Sequence, residues 1–157
     1  MTPRFLLDGM LGGLSRWLRI IGYDTLYYPD KEDTELSVEA EVKNRILVTR
    51  DAELHRQATK RGIKTILIHS DQTIEQLREI TEKMELGTIA KNTRCPRCNG
   101  VLREIEKNGV KDKVPEESFN AFYEFWICAD CDAVYWKGSH WIQIQDTLKK
   151  IEDSKSL

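Results

Sequence analysis

Two cysteine pairs stand out in the second half of the chain, Cys95-Pro96-Arg97-Cys98 and Cys128-Ala129-Asp130-Cys131, and together they use every cysteine present. A tetrahedral metal site takes four thiolates most readily as two short pairs, so this spacing predicts a structural zinc ion on Cys95, Cys98, Cys128 and Cys131. Two disulfides are the competing arrangement. Gaps of two residues suit a metal better, and the N-terminus does not read as a secretory signal, which points to a cytoplasmic protein with reduced thiols. Four sulfur ligands leave zinc no open position, so its expected role is to order the segment around it.

A second chemistry is carried by aspartates that follow short apolar runs. Asp8 comes after Phe5-Leu6-Leu7, Asp51 after Ile46-Leu47-Val48-Thr49, and Asp71 after Thr65-Ile66-Leu67-Ile68. If these runs are neighbouring parallel strands, their carboxyl ends share one edge, and acids far apart in sequence gather there. Crowded carboxylates raise one another's proton affinity, a cost that a divalent cation relieves. Carboxylate oxygens suit magnesium or manganese, which can lower the pKa of a water and stabilise charge on a phosphodiester. A fourth acid is expected from Asp30, Asp33, Glu35 or Glu39; Asp33 is chosen because it opens a helix facing the same edge. Each aspartate also has a plainer reading as a helix N-cap. Gly9, after Asp8, is read as allowing a ligand close approach.

The elements that must position these groups follow from periodicity. From Arg4 to about Gly87, short apolar runs alternate with amphipathic stretches, the pattern of a parallel sheet covered by helices. Strands are expected at 5–7, 25–28, 46–49 and 65–68. Helices are expected over Leu11–Ile21 with a stop at Gly22, over 34–43, over 52–61 with a stop at Gly62, and from Thr73, where Gln76 completes a capping box. Residues 88–93 read as a linker, which gives domains of 1–88 and 89–157. Between the cysteine pairs, Asn108-Gly109 reads as a hairpin turn. A final helix is expected over about 142–151.

Net charge is −2, so nucleic acid would have to be held locally rather than by a basic surface. Arg16 and Arg19, three apart on one helix, are candidate phosphate contacts, with Arg50 a minor one expected to point away from Asp51. Arg94, Arg97 and Arg103 cluster near the first cysteine pair. Tyr135-Trp136-Lys137-Gly138-Ser139-His140-Trp141 mixes aromatics with a cation, as single-strand binding surfaces do, and makes Lys137 an RNA-binding candidate. Burial in a small core is the alternative for Trp136 and Trp141, and a packed histidine for His140. No apolar run is long enough to cross a bilayer, so no membrane partner is expected.

Asp8-Gly9-Met10-Leu11-Gly12, Arg16-Trp17-Leu18-Arg19, Gly22-Tyr23-Asp24-Thr25, Thr49-Arg50-Asp51, the cysteine pairs and Gly138-Ser139-His140-Trp141 together resemble the PIN-like RNase family named after the C-terminal region of the Mut-seven exonuclease. The likeness runs from Phe5 to Trp141. It implies an α/β fold in which a PIN-like parallel sheet flanked by helices precedes a small four-cysteine zinc ribbon. It further implies a metal-dependent ribonuclease acting on RNA, with Asp8 and Asp51 as metal-binding residues and a homodimer as one assembly.

The reading of the residues assigns catalysis to Asp8, Asp33, Asp51 and Asp71, with magnesium or manganese on the first three and Asp71 assisting. A non-catalytic RNA- or ribosome-binding zinc-ribbon protein is the alternative. A phosphoacceptor receiver domain fits poorly, because a doubled acid after the first strand and a lysine after a fifth are both missing. A haloacid-dehalogenase-type phosphatase fits less well still, since Met10 stands two residues beyond Asp8.

Overall fold

The computed structural model describes residues 2–155. Internal packing divides the chain into two compact units, one holding the residues through Arg19 together with Tyr23–Gly87, the other Ile20–Gly22 and the chain from Thr88 onward.

In the first unit β1 (Phe5–Leu7), β2 (Thr25–Tyr27), β3 (Ile46–Thr49) and β4 (Thr65–Leu67) form one sheet in the order β2-β1-β3-β4. Every pairing is parallel, with Leu6 opposite Leu26 on one side and Leu47 on the other. Each strand is only three or four residues long, yet β1 is buried at every position, as central strands of a covered parallel sheet must be. Between the strands run α1 (Gly12–Ile20), α2 (Asp33–Val42) and α3 (Ala52–Lys60), and α4 (Thr73–Met84) follows β4. Right-handed crossovers send α1 to one face of the sheet and α2 and α3 to the other. Accordingly Leu36 and Ala40 of α2 and Leu54 and Ala58 of α3 pack into one cluster with Leu6 and Leu47. Gly22 (φ 96°) and Gly62 (φ 77°) follow α1 and α3 in the left-handed region, as helix-stopping glycines do.

One local expectation in this unit gives way. Gln72 caps α4 without a side-chain hydrogen bond to the helix, and Gln76 donates to the Ser70 carbonyl, so the capping box from Thr73 does not form. The Thr73 side chain lies where a Cβ on Gly13 would fall, at 2.7 Å from Thr73 Oγ1, which fixes α1 and α4 close together.

The second unit is built on an antiparallel sheet in the order β5-β6-β7, from β5 (Leu102–Ile105), β6 (Phe125–Cys128) and β7 (Val134–Tyr135). Asn108-Gly109 is not a hairpin turn. It lies in a 3-10 turn, Lys107–Val110, and a short helix, α5 (Glu116–Ala121), intervenes before β6. Burial of Val110 and stacking of Lys107 over the Phe119 and Tyr123 rings hold this excursion in place of a tight turn. The final helix, α6 (Ser139–Lys155), is longer than expected and buries Ile144, Leu148 and Ile151.

Candidate functional site

Asp8 and Asp51 sit directly beyond the two central strands, at the edge where the order of strands reverses. The chain leaves β1 toward β2 on one side and returns across it to β3 on the other, which opens a crevice between the carboxyl ends of β1 and β3. The crevice is a cavity of about 390 Å³ lined by Asp8, Gly9, Met10, Lys31, Asp33, Leu36, Arg50 and Asp51.

A buried hydroxyl ties the two aspartates together. Thr49, fully buried at the end of β3, donates through Oγ1 to Asp8 Oδ2 and accepts the Asp51 backbone N–H at 3.0 Å. The other oxygen of Asp8 accepts the Met10 N–H at 3.3 Å. Asp51 caps α3, its Oδ1 accepting the N–H groups of Glu53 (2.9 Å) and Leu54 (3.2 Å). Capping and metal binding are therefore compatible here, because among the described residues no hydrogen bond reaches Asp51 Oδ2.

Asp33 opens α2 and enters the same cavity. Burial raises its pKa above the ordinary carboxylate value, and the charges of Asp51 and Asp8 raise it further. Asp33 thus shares a field of negative charge with Asp51 and Asp8. Cationic groups border that field. Lys31 is held by the Glu39 carboxylate and lies 4.1 Å from the centre of the Tyr28 ring. Burial disfavours the Glu39 charge, but hydrogen bonds from Lys31, Lys43 and Tyr28 outweigh it and bring the pKa down to about 2. Arg50 shares the cavity with Asp51 instead of pointing away, because the backbone bends after Thr49 and strand alternation ends there. Its Nε is buried without a hydrogen-bond partner.

Other candidates lie elsewhere. Asp71 is exposed, accepts a bond from its neighbour Gln72, and does not line the cavity. Arg16 is exposed on α1, but Arg19 is only 6% exposed and its Nε donates to the Thr25 carbonyl at 2.9 Å, which makes it a brace for β2 and not a solvent-facing phosphate contact. Lys137 projects its ammonium 5.5 Å from the ring centres of both Trp126 and Trp141. Gly9 lines the cavity and has a packing reason as well: a Cβ there would lie 2.6 Å from the Pro29 carbonyl oxygen. Sequence reasoning quoted Thr49 only as part of a motif and gave it no role, and it did not single out Lys31. The available signal was a hydroxyl residue two positions before an acid at a strand end.

The four cysteines converge in the second unit as free thiols whose sulfurs all lie within 4.8 Å of one another. Cys95 and Cys131 are 3.7 Å apart and Cys98 and Cys128 3.4 Å, far beyond disulfide length. A metal–sulfur bond of about 2.3 Å gives tetrahedral edges of about 3.8 Å, so the four cysteines are positioned to bind a metal ion. Both pairs end in a left-handed residue, Asn99 (φ 74°) and Asp132 (φ 62°), and the turns aim the Gly100 and Asp130 N–H groups at Cys98 and Cys128. Burial and the neighbouring thiols push Cys98 up to about 12, a crowding that a cation would reverse. Tyr135 places its hydroxyl 3.0 Å from Cys95 Sγ.

Among the described residues these sulfurs are the only group of three or more acidic, histidine or cysteine ligands drawn together that tightly. The carboxylates of the crevice share a cavity at wider spacing. Magnesium tolerates that, because it keeps several waters in its coordination shell.

A parallel α/β sheet with acids at its switch point, joined in one chain to a four-thiolate module, defines the class of protein. The family model for the Mut7-C RNAse domain matches residues 3–148, and the chain belongs to that family. No curated protein and no solved structure matches it significantly. The family points to a nuclease-like function on RNA. No helix among the described residues is long and apolar enough to cross a membrane.

Proposed function

We propose that this chain is a magnesium- or manganese-dependent ribonuclease that hydrolyses RNA phosphodiester bonds at the crevice between β1 and β3. The observation that carries the reading is that Asp8, Asp33 and Asp51, from three separate stretches of the chain, line one cavity. Asp8, Asp33 and Asp51 would hold the cation. When bound it would supply charge to the phosphodiester oxygens and acidify an attacking water. The chain's own groups do the rest. Thr49 fixes the orientation of the Asp8 carboxylate, and the cap on α3 fixes Asp51. Asp33 lines the same cavity and would help to hold the attacking water. Arg50 lines the same cavity and would supply positive charge to a phosphate bound there.

In the second unit the thiolate site would hold zinc in a structural role, and the free thiols fit a cytoplasmic setting. The test is cleavage of mixed RNA with and without magnesium or manganese. Asp8→Asn and Asp51→Asn are each expected to lower the rate at least about 100-fold, in line with the loss of charge aimed at the reacting phosphate. Activity that survives both substitutions would discard the reading. RNA binding with no cleavage by the unaltered protein would leave the non-catalytic RNA- or ribosome-binding alternative.

A further inference from the structure

The second unit contains a cavity of about 580 Å³ between α5 and the start of α6, with none of the four cysteines in its lining. Its walls combine the aromatic rings of Phe122, Tyr135 and Trp136 with the polar edges of Glu117, Ser118 and His140. We propose that this cleft is a binding site for an unpaired nucleobase of single-stranded RNA. The proposal deepens the RNA reading above but does not depend on cleavage.

Three features select that occupant. Flat aromatic faces half-open to solvent offer stacking area to a base, whose π-face is the one feature all four bases share. Phe122 and Trp136 are each partly exposed, and Trp136 packs at a tilt against the buried Phe125 ring, 6.2 Å away between centres. Next, a carboxylate at Glu117 and a hydroxyl at Ser118 on the same wall are acceptors for exocyclic amino groups, which an apolar peptide side chain would leave unused. Finally, Ser139 and His140 bring the first turn of α6 to the cleft. That turn contains no acidic residue, so the helix's positive end is open to the phosphate attached to a stacked base.

The cleft is also tied to the metal module through one side chain. Tyr135 forms part of the wall and reaches Cys95 Sγ with its hydroxyl. The aromatic wall is therefore ordered by the same segment that the four cysteines organise.

The experiment uses full-length, zinc-loaded protein carrying Asp8→Asn and Asp51→Asn, without added magnesium or manganese, and a fluorescently labelled single-stranded oligoribonucleotide. Binding is read by anisotropy, and the duplex of the same sequence serves as comparison. Phe122→Ala removes a stacking face, and Ala121→Trp fills the cleft from the end of α5. Each is expected to weaken single-strand binding about tenfold, with zinc content unchanged. Equal affinity for the duplex, or unchanged affinity in both cleft variants, would overturn the proposal. Because cleavage is disabled throughout, failure here leaves the ribonuclease assay intact, and failure of that assay leaves this signal intact.

Discussion

At the scale of single residues, the crevice depends on a hydroxyl that does no chemistry itself. Thr49 is fully buried and bonded on both sides, to the Asp8 carboxylate and to the Asp51 N–H. Thr49→Val keeps the shape and removes both bonds. A partner that orients a ligand typically contributes 10- to 100-fold, so the substitution is expected to lower RNA cleavage by about that factor while folding is retained. Rates measured across a magnesium titration check this, and wild-type activity would show that Asp8 is positioned without Thr49. Asp8 and Asp51 were legible in the sequence because a strand end fixes where the following residue emerges. Arg50 was misplaced for the converse reason: alternation holds inside a strand, and the backbone bends one residue past Thr49. Lys31 and Gly9 depend on the conformation of the loop through Pro29, which no periodicity encodes.

At the scale of elements, α2 and the loop before it are locked by one carboxylate. Glu39 accepts from Lys31, Lys43 and Tyr28, and its pKa is about 2 against an ordinary 4.5. A depressed carboxylate contributes stability that is complete above about pH 4.5 and is lost as pH falls toward about 2. Glu39→Gln is therefore expected to lower the melting temperature at neutral pH. Its deficit should shrink as pH is brought down through that window. Thermal unfolding monitored by circular dichroism at several pH values checks both, and a deficit constant with pH would contradict the assigned cause. Strands and helices of this unit were readable because each apolar run and each glycine stop has one simple meaning. The loop between the cysteine pairs was not, since Asn108-Gly109 also fits a 3-10 turn and the burial of Val110 decides the outcome.

At the scale of the whole molecule, the two units rest on different sources of stability. The parallel unit has an aliphatic core around Leu6, Leu36, Leu47 and Leu54. In the second unit, the cluster around Leu102 and Trp126 includes Cys95 and Cys128 themselves, so residues positioned to bind a metal ion do part of the work of a core. Chelating the metal, or Cys98→Ser, is expected to abolish amide protection in the second unit and leave protection of β1 and β3 largely intact. Hydrogen exchange resolves the two, and collapse of protection throughout would refute independent cores. Cysteine spacing made the thiolate site legible outright, because four ligands in two short pairs admit few other arrangements. The aromatic cleft was visible only as composition, since its walls come from α5, β7 and α6, which are brought together by folding.

The acid-lined crevice is the centre of the account, and manganese is its most direct probe. Crystals soaked in manganese should show an anomalous peak in the crevice between β1 and β3, within coordination distance of Asp8 and Asp51 carboxylate oxygens. A fully occupied manganese site elsewhere, with that crevice empty, would contradict it.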